Sequence, residues 1–205
     1  MKNLINLFKL IELTRSQVQY GYLLSGVRRD DLSNLAEHHY LVTFMAWQLA
    51  VNLKEAGAKV DVQKVLEFCL VHDLGELMGG DISGPYAGIN KRARRFAKAF
   101  EEENQKYLSQ FFGTNAKQFK KAGKEILDAK SDEALIAKLA DYLECSAFMA
   151  YVGVMTKTAK KFNFEKTSNY ARKLKDKTAK KILQEFLVEW FKQINRTDYQ
   201  EILRK

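Results

Sequence analysis

The chain has few residues that interrupt helices, few that form disulfides, and no long apolar run. Its 205 residues include a single proline, Pro85, and two cysteines, Cys69 and Cys145, both in apolar helical contexts. Two cysteines make no disulfide framework, so we expect a reducing, cytoplasmic setting. Since no run of about 18 apolar residues occurs, we expect no membrane span. We also expect no signal peptide, because the apolar amino-terminal segment contains charges and has no small-residue cleavage site.

The near absence of proline and of valine-rich alternating segments predicts an all-α fold. A chain of 205 residues can form one substantial core, so we expect a single domain. Helical apolar periodicity predicts seven helices, at about 2–20, 34–55, 62–78, 90–111, 116–128, 132–156 and 167–194. Asp61 is a candidate N-cap of the third helix, and Ser131 or Asp132 of the sixth. The segment 79–85, with three glycines and the proline, is expected to end the third helix.

Positive charge exceeds negative charge, with a net charge of +9. Such a balance favours anionic partners such as nucleotides, nucleic acid or phosphate esters. Much of the excess lies in the C-terminal third, at Lys157, Lys160, Lys161, Arg172, Lys173, Lys175, Lys177, Lys180 and Lys181. The simplest interpretation of these lysines is a solvated helix face, because no nucleic-acid motif accompanies them.

Ionisable residues are concentrated at the end of the third predicted helix. Its apolar stripe consists of Val62, Val65, Leu66 and Cys69, and the same face continues with His72, Asp73 and Glu76. Burying such groups is costly unless they are paired or bind a metal, so we expect a metal site here. The alternative is a capping or salt-bridge cluster at a helix end.

The other two histidines, His38 and His39, flank the apolar stripe of the second helix, and helical geometry does not choose between them. Asp141 lies within a segment that is apolar nearly all round, which predicts a central buried helix and requires a partner for the acid. That partner is either a metal or an arginine such as Arg15 or Arg29. Two histidines and two aspartates form a plausible ligand set for a divalent ion, whether Mn, Co, Mg, Ni, Fe or Zn.

Three segments, in order, resemble the HD-domain metal-dependent phosphohydrolases. They are Ala36-Glu37-His38-His39-Tyr40, Val71-His72-Asp73-Leu74-Gly75-Glu76 and Lys138-Leu139-Ala140-Asp141-Tyr142-Leu143-Glu144. The second segment, followed by Gly80-Asp81 and Pro85, is most similar to the 5'-deoxynucleotidase branch. The resemblance covers about residues 5–155 and implies one compact HD-type helical bundle over 1–205. Residues of about 156–205 would form a C-terminal helical extension.

The resemblance also implies roles for individual residues. The buried divalent metal would be held by His38 rather than His39, together with His72, Asp73 and Asp141. Glu76 would activate the attacking water and Asp81 would act near the ester oxygen. The best match to the phosphate-binding arginine is Arg15, with Arg28 and Arg29 as rivals. Tyr22 stands where relatives often have tryptophan, which predicts an effect on sugar selectivity.

The expected activity is therefore release of phosphate from (deoxy)nucleoside monophosphates, with a homodimer expected by analogy with relatives. One alternative is hydrolysis of nucleotide polyphosphates or cyclic dinucleotides. Another is a nucleic-acid-binding or regulatory protein with a vestigial site, motivated by the net charge of +9. The complete ligand set argues against the vestigial site.

Overall fold

The computed structural model describes residues 2–195 and 198–204, and it confirms the all-α prediction for them. The α-helices of these ranges are α1 Lys2–Ile11, α2 Leu35–Glu55, α3 Val62–Val71, α4 Gly84–Ile89, α5 Lys91–Leu108, α6 Ala116–Asp128, α7 Asp132–Tyr151, α8 Lys157–Lys173, α9 Lys177–Gln193 and α10 Tyr199–Leu203. Shorter 3-10 helices span Glu12–Arg15, Tyr20–Ser25, Arg29–Asp31, Leu74–Met78 and Ser109–Asn115. In the described ranges, no helix is both long enough and apolar enough to cross a membrane.

Helix α7 is the centre of the bundle, as its apolar composition predicts. It packs against α2, α3, α6 and α8. Leu139, Ala134, Ala137 and Ala140 are all buried, and at about 100° per residue they point to different sides of the helix. A helix that buries several faces brings Asp141 into the interior, where an unpaired carboxylate would be costly.

The C-terminal helices share the main hydrophobic core with the rest of the chain. The core includes Val42 from α2, Phe68 from α3, Leu139 from α7, Ala171 from α8 and Leu183 from α9. Helix α8 therefore packs directly beside α7, and its side chains are available to the site that α7 helps to form.

Polar caps determine where the site-bearing helices begin. At the start of α2 the Asn34 side chain accepts a hydrogen bond from Glu37 N at 3.0 Å, and Glu37 Oε2 accepts from Asn34 N at 3.3 Å. This capping box stabilises a helix start by about 1 kcal/mol and lies one turn before His38. Asp61 caps α3 as predicted, since its Oδ1 accepts from Lys64 N at 3.1 Å. Of the two candidates for α7, Ser131 is the cap.

Several predicted boundaries are wrong because tertiary packing overrides helical periodicity. The predicted helix 62–78 ends at Val71, since Asp73 has φ −116° and ψ 16° and a 3-10 helix follows. The predicted helix 2–20 ends at Ile11. The predicted helix 167–194 is two helices, separated where Leu174 becomes extended with ψ 137°. The predicted helix 132–156 ends at Tyr151, and α4 was not predicted. The helix predicted at about 90–111 agrees with α5 to within three residues at each end.

Gly75 allows the turn after Asp73 to lie directly on α5. A β-carbon at this position would lie 2.5 Å from Glu101 Cγ and 2.8 Å from the Glu101 carbonyl oxygen. The contact is secured by Asn104 Nδ2, which donates to Gly75 O at 2.7 Å. Because only glycine fits, the turn that carries Glu76 is held against α5, and Glu101 is brought to the same side of the molecule.

Candidate metal centre

Four side chains predicted as metal ligands converge on one point of the bundle. His38 comes from α2, His72 and Asp73 from the end of α3, and Asp141 from α7. One nitrogen or oxygen atom from each lies within 4.8 Å of those of the other three. The two histidines are buried and the two aspartates are mostly buried, with side chains 14% and 19% exposed. Four potential ligand atoms, from α2, the end of α3 and α7, therefore face one another in a mostly buried site.

Hydrogen bonds behind the two histidine rings fix their orientation. His72 Nδ1 donates to Cys69 O at 2.8 Å, and His38 Nδ1 donates to Glu144 Oε2 at 2.7 Å. Both Nε2 atoms are consequently turned inward, 3.2 Å from each other. Metal-bound histidines are commonly held in this way by a carbonyl or carboxylate on the other ring nitrogen.

The residues present fit a divalent metal ion. In the neutral form of each ring, the Nδ1 hydrogen bond leaves Nε2 with a lone pair that a metal can take, and Asp73 Oδ2 lies 3.4 Å from His38 Nε2 and 3.1 Å from His72 Nε2. Burial opposes protonation of His38, yet Asp73 and Glu144 together hold its pKa well above the usual range. A site with this demand for positive charge and with mixed nitrogen and oxygen donors suits a divalent ion.

His39 points to another part of the structure than His38. Its ring centroid lies 4.8 Å from that of His72, and its Nε2 has no hydrogen-bond partner in the described parts of the chain. Burial, followed by the nearby His72, lowers the pKa of His39 to about 3, so it stays neutral. The structure thus brings His38, and not His39, into the cluster.

Lys138 is a cation of this site that sequence reasoning missed. It lies one turn before Asp141 on α7, and its Nζ is 3.7 Å from Asp141 Oδ2 and 4.0 Å from Asp73 Oδ1. Burial opposes its charge, but Asp141 and Asp73 hold the pKa of Lys138 above its usual range. The alternative partner proposed for Asp141 was an arginine, whereas the cation found beside it is this lysine. Its position three residues before Asp141, on the same face of the helix, was the sequence feature that could have identified it as a partner.

A cavity of about 240 Å³ opens beside the cluster. Its walls include His38, Asp73, Asp141, Lys138, Glu76, Asp81, Glu101, Gln19, Tyr22, Ile82, Tyr142, Phe162 and Asn163. The two predicted acid–base residues, Glu76 and Asp81, therefore share one cavity with three of the four cluster residues. Asp81 is anchored by Gly21 N, which donates to its Oδ2 at 2.6 Å.

Three carboxyl groups of this cavity have raised pKa values. Burial, then Asp73 and Asp81, raises the pKa of Glu76 well above its usual range. Burial raises the pKa of Asp81 to about 6, against the opposing hydrogen bond from Gly21. Burial also raises the pKa of Glu101, on α5, to about 7. The pKa values of Asp81 and Glu101 lie near neutrality, where a carboxyl group can both accept and donate protons, which suits acid–base catalysis.

The arginines predicted to bind phosphate lie outside this cavity. Arg15 is 73% exposed, and its Nε donates to Glu12 Oε2 at 2.7 Å. Arg29 is exposed in its own short 3-10 helix, and Arg28 pairs with Asp31 at 2.7 Å. The early end of α1, at Ile11, places this stretch on the surface. Within residues 2–195 and 198–204, Lys138 is the one lysine or arginine among the cavity-lining residues.

Replacing Glu101 by glutamine is expected to make the stability of the metal-free protein depend less on pH. Because folding raises the pKa of Glu101 from about 4.5 to about 7, the folded state keeps a proton that the unfolded state releases. The stability from this proton is present below about pH 4.5 and is lost as pH rises to about 7. Between pH 5 and 8 the free energy of unfolding should fall by on the order of 2 kcal/mol more in the parent than in Glu101→Gln.

Urea unfolding with a chelator, at pH 5 and pH 8, measures this difference. Glu103→Gln is the matched control, since Glu103 is exposed on the same helix and pairs with Lys106. An equal pH dependence in the parent and in Glu101→Gln would contradict the raised pKa.

Comparison with known proteins agrees with this geometry. A family model described as an HD domain matches residues 14–184. The chain is 29% identical over 147 residues to 5'-deoxynucleotidase HDDC2 of Dictyostelium discoideum, covering 70% of this chain and 74% of that protein. It is also 29% identical over 131 residues to 5'-deoxynucleotidase plu3092 of Photorhabdus laumondii, covering 60% of this chain and 64% of the relative.

Two solved archaeal structures share the fold. The PH0347 protein of Pyrococcus horikoshii matches with a TM-score of 0.66 at 23% identity, over 92% of this chain and 98% of that one. A conserved hypothetical protein of Pyrococcus furiosus matches with a TM-score of 0.66 at 24% identity, over 92% and 99%. At this identity the likeness concerns the fold alone.

Proposed function

This chain belongs to the HD domain family, and from that premise we propose that it is a metal-dependent phosphohydrolase that releases phosphate from (deoxy)nucleoside monophosphates. The observation that carries the proposal is the cluster of His38, His72, Asp73 and Asp141 beside a cavity lined by acid–base groups. The two relatives named 5'-deoxynucleotidase support the choice of substrate. His38, His72, Asp73 and Asp141 would hold the metal, which polarises phosphoryl oxygens and lowers the pKa of water.

Glu76 and Asp81 would carry the proton transfers. Glu76 would accept the proton of the attacking water, since its carboxylate is buried next to the cluster and its pKa is raised. Asp81, with a pKa of about 6 and a position fixed by Gly21 N, would donate a proton to the departing ester oxygen. The raised pKa values keep a proton available for the acid role, and a divalent cation held beside Glu76 would favour the ionised carboxylate that the base role needs.

Lys138 would contact the phosphate in place of the arginines. Phosphoryl transfer depends on cations that neutralise charge on the equatorial oxygens. Lys138 faces the cavity within 4.0 Å of Asp73 Oδ1, so an ammonium is already positioned at the metal end of the site. Arg15 is exposed and paired with Glu12, and Arg29 lies in a separate exposed 3-10 helix. Both segments would have to move before either arginine could reach the metal end of the cavity.

The size of the cavity supports a small substrate. Pockets for drug-sized ligands hold roughly 300 to 1,000 Å³, and this one is about 240 Å³. A nucleoside monophosphate suits this volume better than a cyclic dinucleotide, which has twice its size. The complete and buried ligand set likewise favours an enzyme over a nucleic-acid-binding protein with a vestigial site.

A substrate panel combined with elemental analysis tests the proposal. Purified protein supplied with manganese or cobalt should contain divalent metal and release phosphate from nucleoside monophosphates. The panel includes ribo- and deoxyribonucleotides, nucleotide polyphosphates and cyclic dinucleotides, and monophosphates should give the highest kcat/KM. Phosphate release confined to the larger substrates would overturn the monophosphate assignment. Salt-sensitive nucleic-acid binding without any phosphate release would favour the binding-protein alternative.

The homodimer and the cytoplasmic location also form part of the proposal. Exposed apolar side chains along α2, including Tyr40, Phe44 and Trp47, offer a surface that a second copy could cover. Sedimentation equilibrium of the purified protein distinguishes a mass of one chain from a mass of two.

A further inference from the structure

Helix α8 contributes to the same cavity as the metal cluster. Phe162 and Asn163 line it together with Asp141 and Lys138 of α7. None of the four cluster residues comes from α8, so its side chains are not needed to hold a metal. Because Phe162 and Asn163 line the cavity without holding a metal, we expect them to contact another part of the substrate.

Asn163 has the properties of a group that awaits a ligand. Its side chain is 97% buried, since the residue is 3% exposed, and yet it borders the cavity. Its Nδ2 has no hydrogen-bond partner in the part of the chain that the structure describes. A buried amide N–H without an acceptor is unfavourable, and folded proteins rarely retain one without a use for it. An acceptor on a molecule inside the cavity would satisfy it.

Phe162 provides an aromatic surface next to this donor. Phe162 and Tyr142 both line the cavity, and Gly84 lies beside them, since a β-carbon on Gly84 would be 3.5 Å from Phe162 Cε1 and 3.8 Å from Tyr142 Oη. The centroids of Tyr142 and Phe162 are 6.3 Å apart. Lys166 Nζ lies over the Phe162 ring, 5.2 Å from its centroid, and adds positive charge next to it. Aromatic faces of this kind bind planar heterocycles.

We propose that α8 forms the nucleoside-binding part of the active site. Phe162 contacts the face of the base, and Asn163 Nδ2 donates a hydrogen bond to an acceptor on the base. The inference rests on the proposed function, in which the metal cluster and Lys138 hold the phosphate end. It assigns to α8 the preference for nucleotides over phosphate esters that lack a base.

Comparison of nucleotides with a base-free ester tests this assignment. The substrates are the four 2'-deoxynucleoside monophosphates and 2-deoxyribose 5-phosphate, and kcat/KM is measured for each. The wild type should favour its best nucleotide over the base-free ester by about tenfold or more, and Asn163→Leu should reduce that ratio by about tenfold. Asn163→Asp, which replaces the donor by an acceptor, should change the ranking of the four bases. Glu165→Gln is the matched control, because Glu165 is exposed on the same helix.

Thermal unfolding separates a ligand-binding role from a structural one. Asn163→Leu removes an unpaired buried donor, so the ligand-free variant should unfold at the same or a higher temperature than the wild type. A lower unfolding temperature, with equal losses of kcat/KM for the nucleotides and the base-free ester, would overturn the inference. So would a wild type that does not distinguish the two kinds of ester.

Calorimetric titration with the four 2'-deoxynucleosides distinguishes failure of the inference from failure of the proposed function. Binding that is weakened about tenfold by Asn163→Leu, in a protein that releases no phosphate, would sustain the nucleoside site and refute the phosphohydrolase. Phosphate release by a protein that binds no nucleoside would do the reverse.

Discussion

Replacing Asp73 by alanine is expected to abolish metal binding and phosphate release together. Asp73 Oδ2 lies 3.1 Å from His72 Nε2 and 3.4 Å from His38 Nε2, so this carboxylate joins the two histidines in one site. Its loss removes a negative ligand and leaves two imidazole lone pairs facing each other. We expect kcat/KM for a nucleoside monophosphate to fall by at least about 1,000-fold, the scale on which a single charge-stabilising group acts.

The two readouts are metal content of the purified variant and phosphate release with added manganese or cobalt. Asp128→Ala is the control, because Asp128 lies at the end of α6 and pairs loosely with Lys130 at 3.7 Å. Asp73→Ala that contains no metal and still releases phosphate at the parent rate would refute the proposed mechanism. Full metal content with full activity would remove Asp73 from the ligand set.

The candidate ligands were predictable because buried ionisable groups on apolar faces require compensation. His72 and Asp73 follow an apolar stripe, and Asp141 interrupts a helix that is apolar all round, so each was conspicuous in the sequence. The choice between His38 and His39 was not predictable from helical geometry and rested on the resemblance. The structure supplies the physical reason: Glu144, 106 residues away in the sequence and on α7, accepts a hydrogen bond from His38 Nδ1 at 2.7 Å.

The path of the backbone at the site was not predictable from periodicity. A continuous helix over 62–78 would place Glu76 on the same stripe as His72, but the helix ends at Val71 and the turn packs on α5. That packing depends on the fit between Gly75 and Glu101, which are far apart in the sequence. The local sequence pattern carries no information about such a contact. The predicted residues do lie together in the structure, but the local geometry from which they were predicted is wrong.

In the C-terminal third, too, the sequence pattern predicted only part of what the structure shows. Its lysines suggested a solvated helix face, and Lys161, 77% exposed and 3.9 Å from Glu165, fits that interpretation. The opposite side of the same helix presents Phe162 and Asn163 to the cavity. Charge patterning identifies the outer face of a helix, whereas only the packing of α8 against α7 reveals what the inner face meets.

Replacing Lys138 by methionine is expected to separate metal binding from catalysis. Its ammonium lies 3.7 Å from Asp141 Oδ2 and 4.0 Å from Asp73 Oδ1, so its charge competes with a cation held by the same carboxylates. Lys138→Met should therefore bind manganese at least as tightly as the parent. Phosphate release should nevertheless fall by about 100-fold, because the cation that we propose contacts the equatorial oxygens is lost.

Metal titration and phosphate release, measured on the same preparation, decide between this role and a structural one. Lys64→Met is the matched control, since Lys64 is another ion-paired lysine, 2.6 Å from Glu125 and outside the cavity. Loss of metal in parallel with activity would mean that Lys138 only organises Asp73 and Asp141. Activity at the parent level would return the phosphate contact to an arginine, with Arg15 the first to test. We thus expect Asp73→Ala to lose its metal and Lys138→Met to keep it, although both variants lose activity. General destabilisation of the bundle would not produce this difference.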